Sequence, residues 1–396
     1  MRASAFLYPW DVVGDPEAAA RTAALGVRQV TLASAYHSTR ALTPRHPAHR
    51  IVTAEHAAVL YPPDDGRWAG RELRPYPAGA WAPAGDDPFG QAADALADAG
   101  LEVHSWVVLA HNSRLGVERP DLCVVNAYGD RYPWAPCIAR PAVREYLTGL
   151  AAEAAVRPGA TGTELESCGW YGFAHLHAHD KVGGVALGDA AQYLMSLCFC
   201  PDCRDGYAAQ GLDPGELAAL VRRALEPVWG GAGADGAGWP AVEKLLGAGP
   251  AAATLAWRTR AARALQDAAV GAVRAAAPPG FRVLLHADPA AHRCGANAGV
   301  DPGHVLGLAD GVVLPCTGGA AAREAVLAPF GPHRREGTAL AANLTVVSGM
   351  GGSPATLAAD ARHAASLGAT ELRLYHAGLA SDADLRAVAE QLAALG

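Results

Sequence analysis

Two glutamates separated by one residue carry the first chemical signal of this chain. In the run T-G-T-E-L-E-S-C-G-W-Y-G-F, Glu164 and Glu166 flank Leu165. In an extended strand the period of two puts both carboxylates on one face and Leu165 on the other. Like charges so close raise the proton affinity of one of them, as a general acid near neutrality requires. The competing use is an ion pair inside a core. Just downstream, F-A-H-L-H-A-H-D-K carries His175, His177, His179, Asp180 and Lys181. In a loop these imidazoles suit substrate binding better than a catalytic metal. Further on, L-C-F-C-P-D-C brings Cys198, Cys200 and Cys203 together. Three thiolates in C-x-C-x-x-C spacing can wrap a tetrahedral zinc ion and leave one ligand to come from elsewhere. Cys123 and Cys137 are the preferred candidates for that fourth place, with Cys168 behind them. Cys294 and Cys316 read as isolated thiols. Four thiolates leave no open position, so such a zinc would be structural. No organic cofactor is implied.

The elements that must position these groups repeat in a regular order. Short β-like runs at Ala3–Tyr8, Val27–Ala33, Leu101–Ala110, Thr161–Glu166, Arg282–Ala287, Gly311–Leu314, Thr338–Val347 and Glu371–His376 alternate with amphipathic helical stretches. Eight βα units in sequence predict an α/β fold, a single (β/α)8 TIM barrel over residues 1–396 with long βα loops. The insertions fall at about 37–86, 112–140 and 168–240. A doubly wound sheet is less apt, because no GxGxxG or GxxxxGK[ST] run opens a helix.

In such a barrel the chemistry gathers at the C-terminal ends of the strands. Strand one then delivers Tyr8, Trp10 and Asp11, and strand two Tyr36, His37 and Arg40. Strand three delivers His111 and Asn112, and strand four the two glutamates followed by Trp170 and Tyr171. Strand five ends in His286 and Asp288, and strand eight in Tyr375 and His376. Aromatic faces stack on sugar rings, while carboxylates and imidazoles bind hydroxyls and move protons. This is the profile of a carbohydrate site.

Of the 396 residues 51% are hydrophobic and 18% charged, and the net charge is −7. That balance excludes a disordered chain and disfavours a nucleic-acid partner. No run is long enough to span a bilayer and the N-terminus lacks the form of an export signal, so a cytoplasmic protein without a membrane partner is expected. Self-association into a homo-oligomer stays open.

A strand-four glutamate followed by a C-x-C-x-x-C loop resembles the family 42 β-galactosidases, barrel glycoside hydrolases of the large retaining clan with a structural cysteine-bound zinc. The stretch from Cys123 through N-A-Y-G-D-R-Y and C-I-A-R-P-A-V-R-E-Y to E-S-C-G-W-Y-G-F and L-C-F-C-P-D-C also resembles uncharacterised bacterial proteins described as hypothetical glycosyl hydrolases. The likeness covers about residues 100–210. It implies that Glu166 is an acid/base on a carbohydrate or glycoside substrate. Two departures stand out. The clan has Asn before this acid and Leu165 stands here, and the strand-seven run T-A-L-A-A-N-L-T-V-V-S-G lacks the clan's nucleophilic Glu. The second carboxylate must then come from Asp288, Asp11 or Asp180, with Glu164 a further catalytic candidate.

The leading reading is a glycoside hydrolase with a carboxylate pair at the barrel mouth. Trp10, Tyr36, His37, His111, Asn112, Trp170, His175, His177, His286, Tyr375 and His376 would bind the sugar. The alternatives are a metal-dependent sugar isomerase or hydrolase and a non-catalytic carbohydrate-binding barrel.

Overall fold

The computed structural model describes residues 1–79, 82, 87–176, 180–233 and 236–395. Eight parallel strands close on themselves in chain order: β1 (Arg2–Leu7), β2 (Gln29–Tyr36), β3 (Glu102–Val108), β4 (Ala160–Glu166), β5 (Arg282–Asp288), β6 (Gly311–Pro315), β7 (Ala339–Thr345) and β8 (Glu371–Tyr375). β1 pairs with both β2 and β8, so the barrel has no open edge. The alternation seen in the sequence places these strands to within a few residues. The largest difference is β2, which begins at Gln29 and runs on past a bulge between Ala33 and Ala35, and so carries Tyr36 on the strand itself.

A ring of helices returns the chain: α1 (Ala18–Ala23), α2 (Pro88–Asp98), α3 (Pro141–Ala155), α4 (Ala248–Ala276), α5 (Pro302–Leu308), α6 (Ala320–Leu327), α7 (Leu357–Ser366) and α8 (Asp382–Ala393). Their starts follow local chemistry. The Asp87 side chain accepts from Gly90 N at 2.9 Å, and Pro141 opens α3 where no amide donor is needed. Ser381 and Asp384 cap α8 reciprocally. Apolar residues such as Leu165, Val107 and Leu285 point outward into the layer between sheet and helices.

The barrel interior divides by polarity. On one side Leu284, Val313, Ala339 and Ala341 pack together. On the other lies a run of charge: Arg282 to Glu371 (2.8 Å), Glu371 to Arg373 (2.9 Å) and Arg373 to Glu164 (2.5 Å). Gly162 belongs to this crowded floor, since a Cβ there would stand 2.5 Å from His104 Nε2. The loops over the mouth are built from the insertions. They include a hairpin of Thr39–Leu42 with Ile51–Ala54 and a second of Cys123–Val125 with Arg131–Pro136. The insertion after β4 adds helices Gly188–Met195, Pro201–Ala208 and Pro214–Trp229. Among the described residues no helix is long and apolar enough to cross a membrane.

Candidate active site

Glu164 and Glu166 share a face of β4 but not an environment. Glu164 is fully buried. Arg373 donates to its Oε1 at 2.5 Å and Thr31 at 3.1 Å, and His104 Nδ1 lies 3.8 Å away. Burial alone would raise its proton affinity, but Arg373 and the His104 and His286 rings hold it well below the ordinary carboxylate range. Glu166 stands one step higher, at the mouth, with 8% exposure. Trp106 Nε1 donates to its Oε2 at 2.8 Å, and His286 Nδ1 lies 3.9 Å from the same oxygen. The β4–β5 register pairs Glu164 with Leu284, so His286 comes level with Glu166. Its Nε2 reaches down to Glu164 Oε2 at 3.5 Å. One imidazole thus spans the two carboxylates.

Phenols surround Glu166. Tyr8, Tyr36, Tyr171 and Tyr375 are all held above the ordinary tyrosine range, first by burial and also by the Glu166 charge, with Tyr375 pushed up to about 12. They therefore stay protonated and can donate hydrogen bonds. Rings continue around the rim as an arc of contacts: Tyr8–Tyr36 (5.0 Å between centroids), Tyr36–His37 (4.2 Å), His37–His111 (4.7 Å), His111–Tyr171 (4.2 Å) and Tyr171–His175 (5.9 Å). Trp10 and His376 stack on Tyr8 at 4.5 and 4.3 Å. Burial lowers His376 to about 3, so it is neutral. A cleft of about 480 Å³ opens beyond His175, lined by Trp134, Phe173, Asp180, Lys181 and Gln192.

The remaining carboxylates occupy distinct places. Asp288 continues the inward face of β5 two residues beyond His286. Its Oδ1 accepts from Ala290 N at 2.8 Å, and burial raises its proton affinity. Asp11 is turned into the loop, where its Oδ2 accepts from Tyr8 N at 2.8 Å. Burial lifts it to about 7 against the pull of that amide and of Arg45. A Cβ on Gly378 would fall 1.9 Å from Asp11 Oδ2, so only glycine lets the β8 loop pass over it.

Three expectations need correction. Trp170 does not face the mouth. Its Nε1 donates to Arg258 O at 2.9 Å, and the ring is buried between β4 and α4. The cause is Ser167, whose φ of +55° turns the chain sharply after Glu166. Asn112 is spent on capping helix Ser113–Glu118, accepting from Leu115 N at 3.0 Å. Cys123 is not part of the thiol cluster and lies against the Gly116 and Arg119 carbonyls. His177 lies outside the described residues. Trp106 escaped the sequence reading because a tryptophan in mid-strand looks like core.

The thiols of Cys137, Cys198, Cys200 and Cys203 are buried and lie within 4.8 Å of one another, a group able to hold a metal ion. Cys137 Sγ is 3.7 Å from both Cys200 Sγ and Cys203 Sγ. A tetrahedron with metal–sulfur bonds of about 2.3 Å has edges of about 3.7–3.8 Å, so the spacing fits. The amides of Val125 and Cys200 point at Cys198 Sγ at 3.5 and 3.4 Å, as donors toward a thiolate would. The cluster ties the second hairpin to the loop after β4.

No protein-family model matches the chain, and no curated protein does. Solved structures do. An α-L-fucosidase from Paenibacillus thiaminolyticus aligns over all of this chain at 13% identity and a TM-score of 0.58, and the chain spans 49% of that enzyme. The PgaB glycoside hydrolase domain from Bordetella bronchiseptica aligns at 14% identity and 0.55, covering 99% of each chain. A family 42 β-galactosidase from G. stearothermophilus aligns at 11% identity and 0.54, over all of this chain and 56% of that one. At such identities the likeness is one of fold: this chain has the TIM-barrel fold of these glycoside hydrolases.

Proposed function

We propose that the protein is a glycoside hydrolase with Glu166 as its general acid/base. One observation carries the reading: Glu166 is a carboxyl group at the barrel mouth, gripped through a single oxygen and ringed by phenols and imidazoles. Trp106 and His286 both address Oε2, which leaves Oε1 to hold the transferable proton. Glu166 gives that proton to the glycosidic oxygen as the bond to the anomeric carbon breaks, then takes one from water. Asp288 is the partner carboxylate, with Asp11 behind it. Asp288 attacks the anomeric carbon as the protonated leaving group departs, and the water that Glu166 deprotonates then displaces Asp288 from that carbon and frees the sugar. The arc from Tyr8 to His175, with Trp10, Tyr375 and His376, lies along the sugar, and the cleft beyond His175 takes the rest of a longer carbohydrate. Glu164 braces the barrel and orients His286.

The four-cysteine cluster holds zinc in this reading. Bound zinc would keep all four thiolates deprotonated and pin the loop, with no position open for water. The protein works in the cytoplasm, without a nucleic-acid or membrane partner. Elemental analysis of untagged protein should give one zinc per chain, and a metal-free preparation that melts unchanged would end this part of the reading.

The acid/base role is tested by hydrolysis of aryl glycosides graded in leaving-group ability. Glu166→Gln should lose most on poor leaving groups and least on good ones, and in a retaining enzyme azide should restore turnover. Equal loss across the series would remove Glu166 from the chemistry. A wild-type protein that binds sugars without turning any over would favour the binding-barrel alternative.

A further inference from the structure

Among the described residues, Arg258 on α4 is a buried cation without a carboxylate partner. It is 1% exposed, its guanidinium lies over the Trp170 and Tyr193 rings at 4.8 and 5.1 Å, and Nη1 donates to Ser196 O at 2.7 Å. Among the described residues no Asp or Glu forms an ion pair with it, and Asp189 nearby is taken by Arg293 in two bonds of 2.6 and 3.1 Å. A charge so buried needs a counter-charge. Arg258 Nη2 points at Cys294 Sγ, 2.8 Å away. Cys294 is the only one of the eight cysteines that is not fully buried. It lines a cavity of about 50 Å³ with Asp189, Tyr193 and His292. His292 is 7% exposed, and its Nε2 is buried at this cavity with no hydrogen-bond partner.

We propose that Cys294 is the thiolate counter-ion of Arg258 and that the cavity is a reaction site for small peroxides. The sulfur attacks one peroxide oxygen and the O–O bond breaks. The second oxygen leaves as hydroxide and takes up a proton to give water. Sulfur is oxidised by two electrons to the sulfenic acid, and the peroxide is reduced. Arg258 holds the sulfur in place, and His292 Nε2–H faces the oxygen that leaves. The cavity suits a reagent of a few atoms. The cavity shares Ala174 and Gln192 with the neighbouring cleft, and its chemistry needs no glycosidase activity.

The titratable and charged groups facing Cys294 are Arg258 from α4, Asp189 and Tyr193 from helix Gly188–Met195, Tyr132 from the second hairpin, and His292 and Arg293 from its own loop. The test uses the intact protein: iodoacetamide labelling of Cys294, read by peptide mass spectrometry from pH 6 to 8. A preformed thiolate labels at a nearly constant rate, whereas an ordinary thiol speeds up about tenfold per pH unit below its pKa. Hydrogen peroxide followed by dimedone should tag the same residue. Arg258→Met should slow labelling at pH 6 by about tenfold or more, and Arg258→Lys should restore part of it. If Arg258→Met does not fold, the wild-type pH profile decides alone. A rate that climbs tenfold per unit, absence of labelling, or peroxide treatment without a dimedone adduct at Cys294 overturns the proposal.

Discussion

Glu164 and Glu166 sit two residues apart on one face of one strand, and the floor and the mouth of the barrel treat them in opposite ways. On the floor, Arg373, Thr31 and His104 close around Glu164 and no surface remains for a substrate. At the mouth, Glu166 has one firm donor, Trp106, with the His286 ring 3.9 Å away and buried phenols around it. Residue type is the same in both places. The difference lies in whether a fixed cation stands opposite: Arg373 holds the charge on Glu164, and the proposed acid/base role falls to the carboxylate that lacks such a partner.

The sharpest way to break this contrast is to remove each carboxylate in turn. Glu166→Gln should lower turnover of a substrate with a poor leaving group by about 10²–10⁴-fold, with little change in melting temperature. Glu164→Leu should do the reverse to the fold. Stripping one partner from a buried pair costs about 3–5 kcal/mol, visible as a lower urea midpoint. The double variant Glu164→Leu/Arg373→Leu should regain much of that loss, because no unpaired charge remains. If Glu164→Leu folds as well as wild type, the floor is not held by this pair.

A smaller effect sharpens the mouth. Trp106→Phe keeps the ring and deletes the donor to Glu166 Oε2, and one hydrogen bond to a charged group is worth about 1.5–3 kcal/mol. Turnover should fall about ten- to hundredfold, in kcat more than in KM. An unchanged kcat would mean that Trp106 does not orient the acid.

The last contrast is the response of Asp11 to pH. Its folded-state proton affinity is raised to about 7 by burial, the opposite direction from Glu164. A raised carboxyl binds its proton more tightly when folded, so its contribution is full below the unfolded value and is lost as pH rises toward 7. Asp11→Asn should therefore gain stability over wild type as pH climbs from about 4 to 7, by up to about 4 kcal/mol at about 1.4 for each pH unit, and the gain should level off above 7. Glu164 has the reverse sign, with its stabilisation lost only in strong acid. Urea midpoints of both proteins at pH 4.5 and 8 check it, and a constant difference would refute the assignment.

The barrel was legible because each strand is short, alternates or is uniformly apolar, and is bounded by Gly or Pro. The end of β4 was legible for the same reason, with Leu165 outward and the glutamates inward. Long-range pairing was not. Arg373 meets Glu164 across 209 residues, and nothing local in E-L-R-L-Y announces that partner. The fourth thiol turned on a detail smaller than a motif. Cys123 pairs with Pro136 across a register shift, so that Cys137, next to that partner, joins the cluster. Trp170 was misplaced because spacing carries no warning of a left-handed serine at position 167.

The arc of touching rings around the mouth also makes this region report on itself. With centroids 4.2–5.9 Å apart from Tyr8 to His175, each ring lies in the circulating-electron field of its neighbour. Imidazole carbon-bound protons of His37 and His111 should resonate away from those of a free histidine. Any flat or hydroxylated molecule that slides between two members would shift several of these signals together. A one-dimensional proton spectrum of the aromatic region could therefore test whether a sugar enters the mouth without label, dye or turnover.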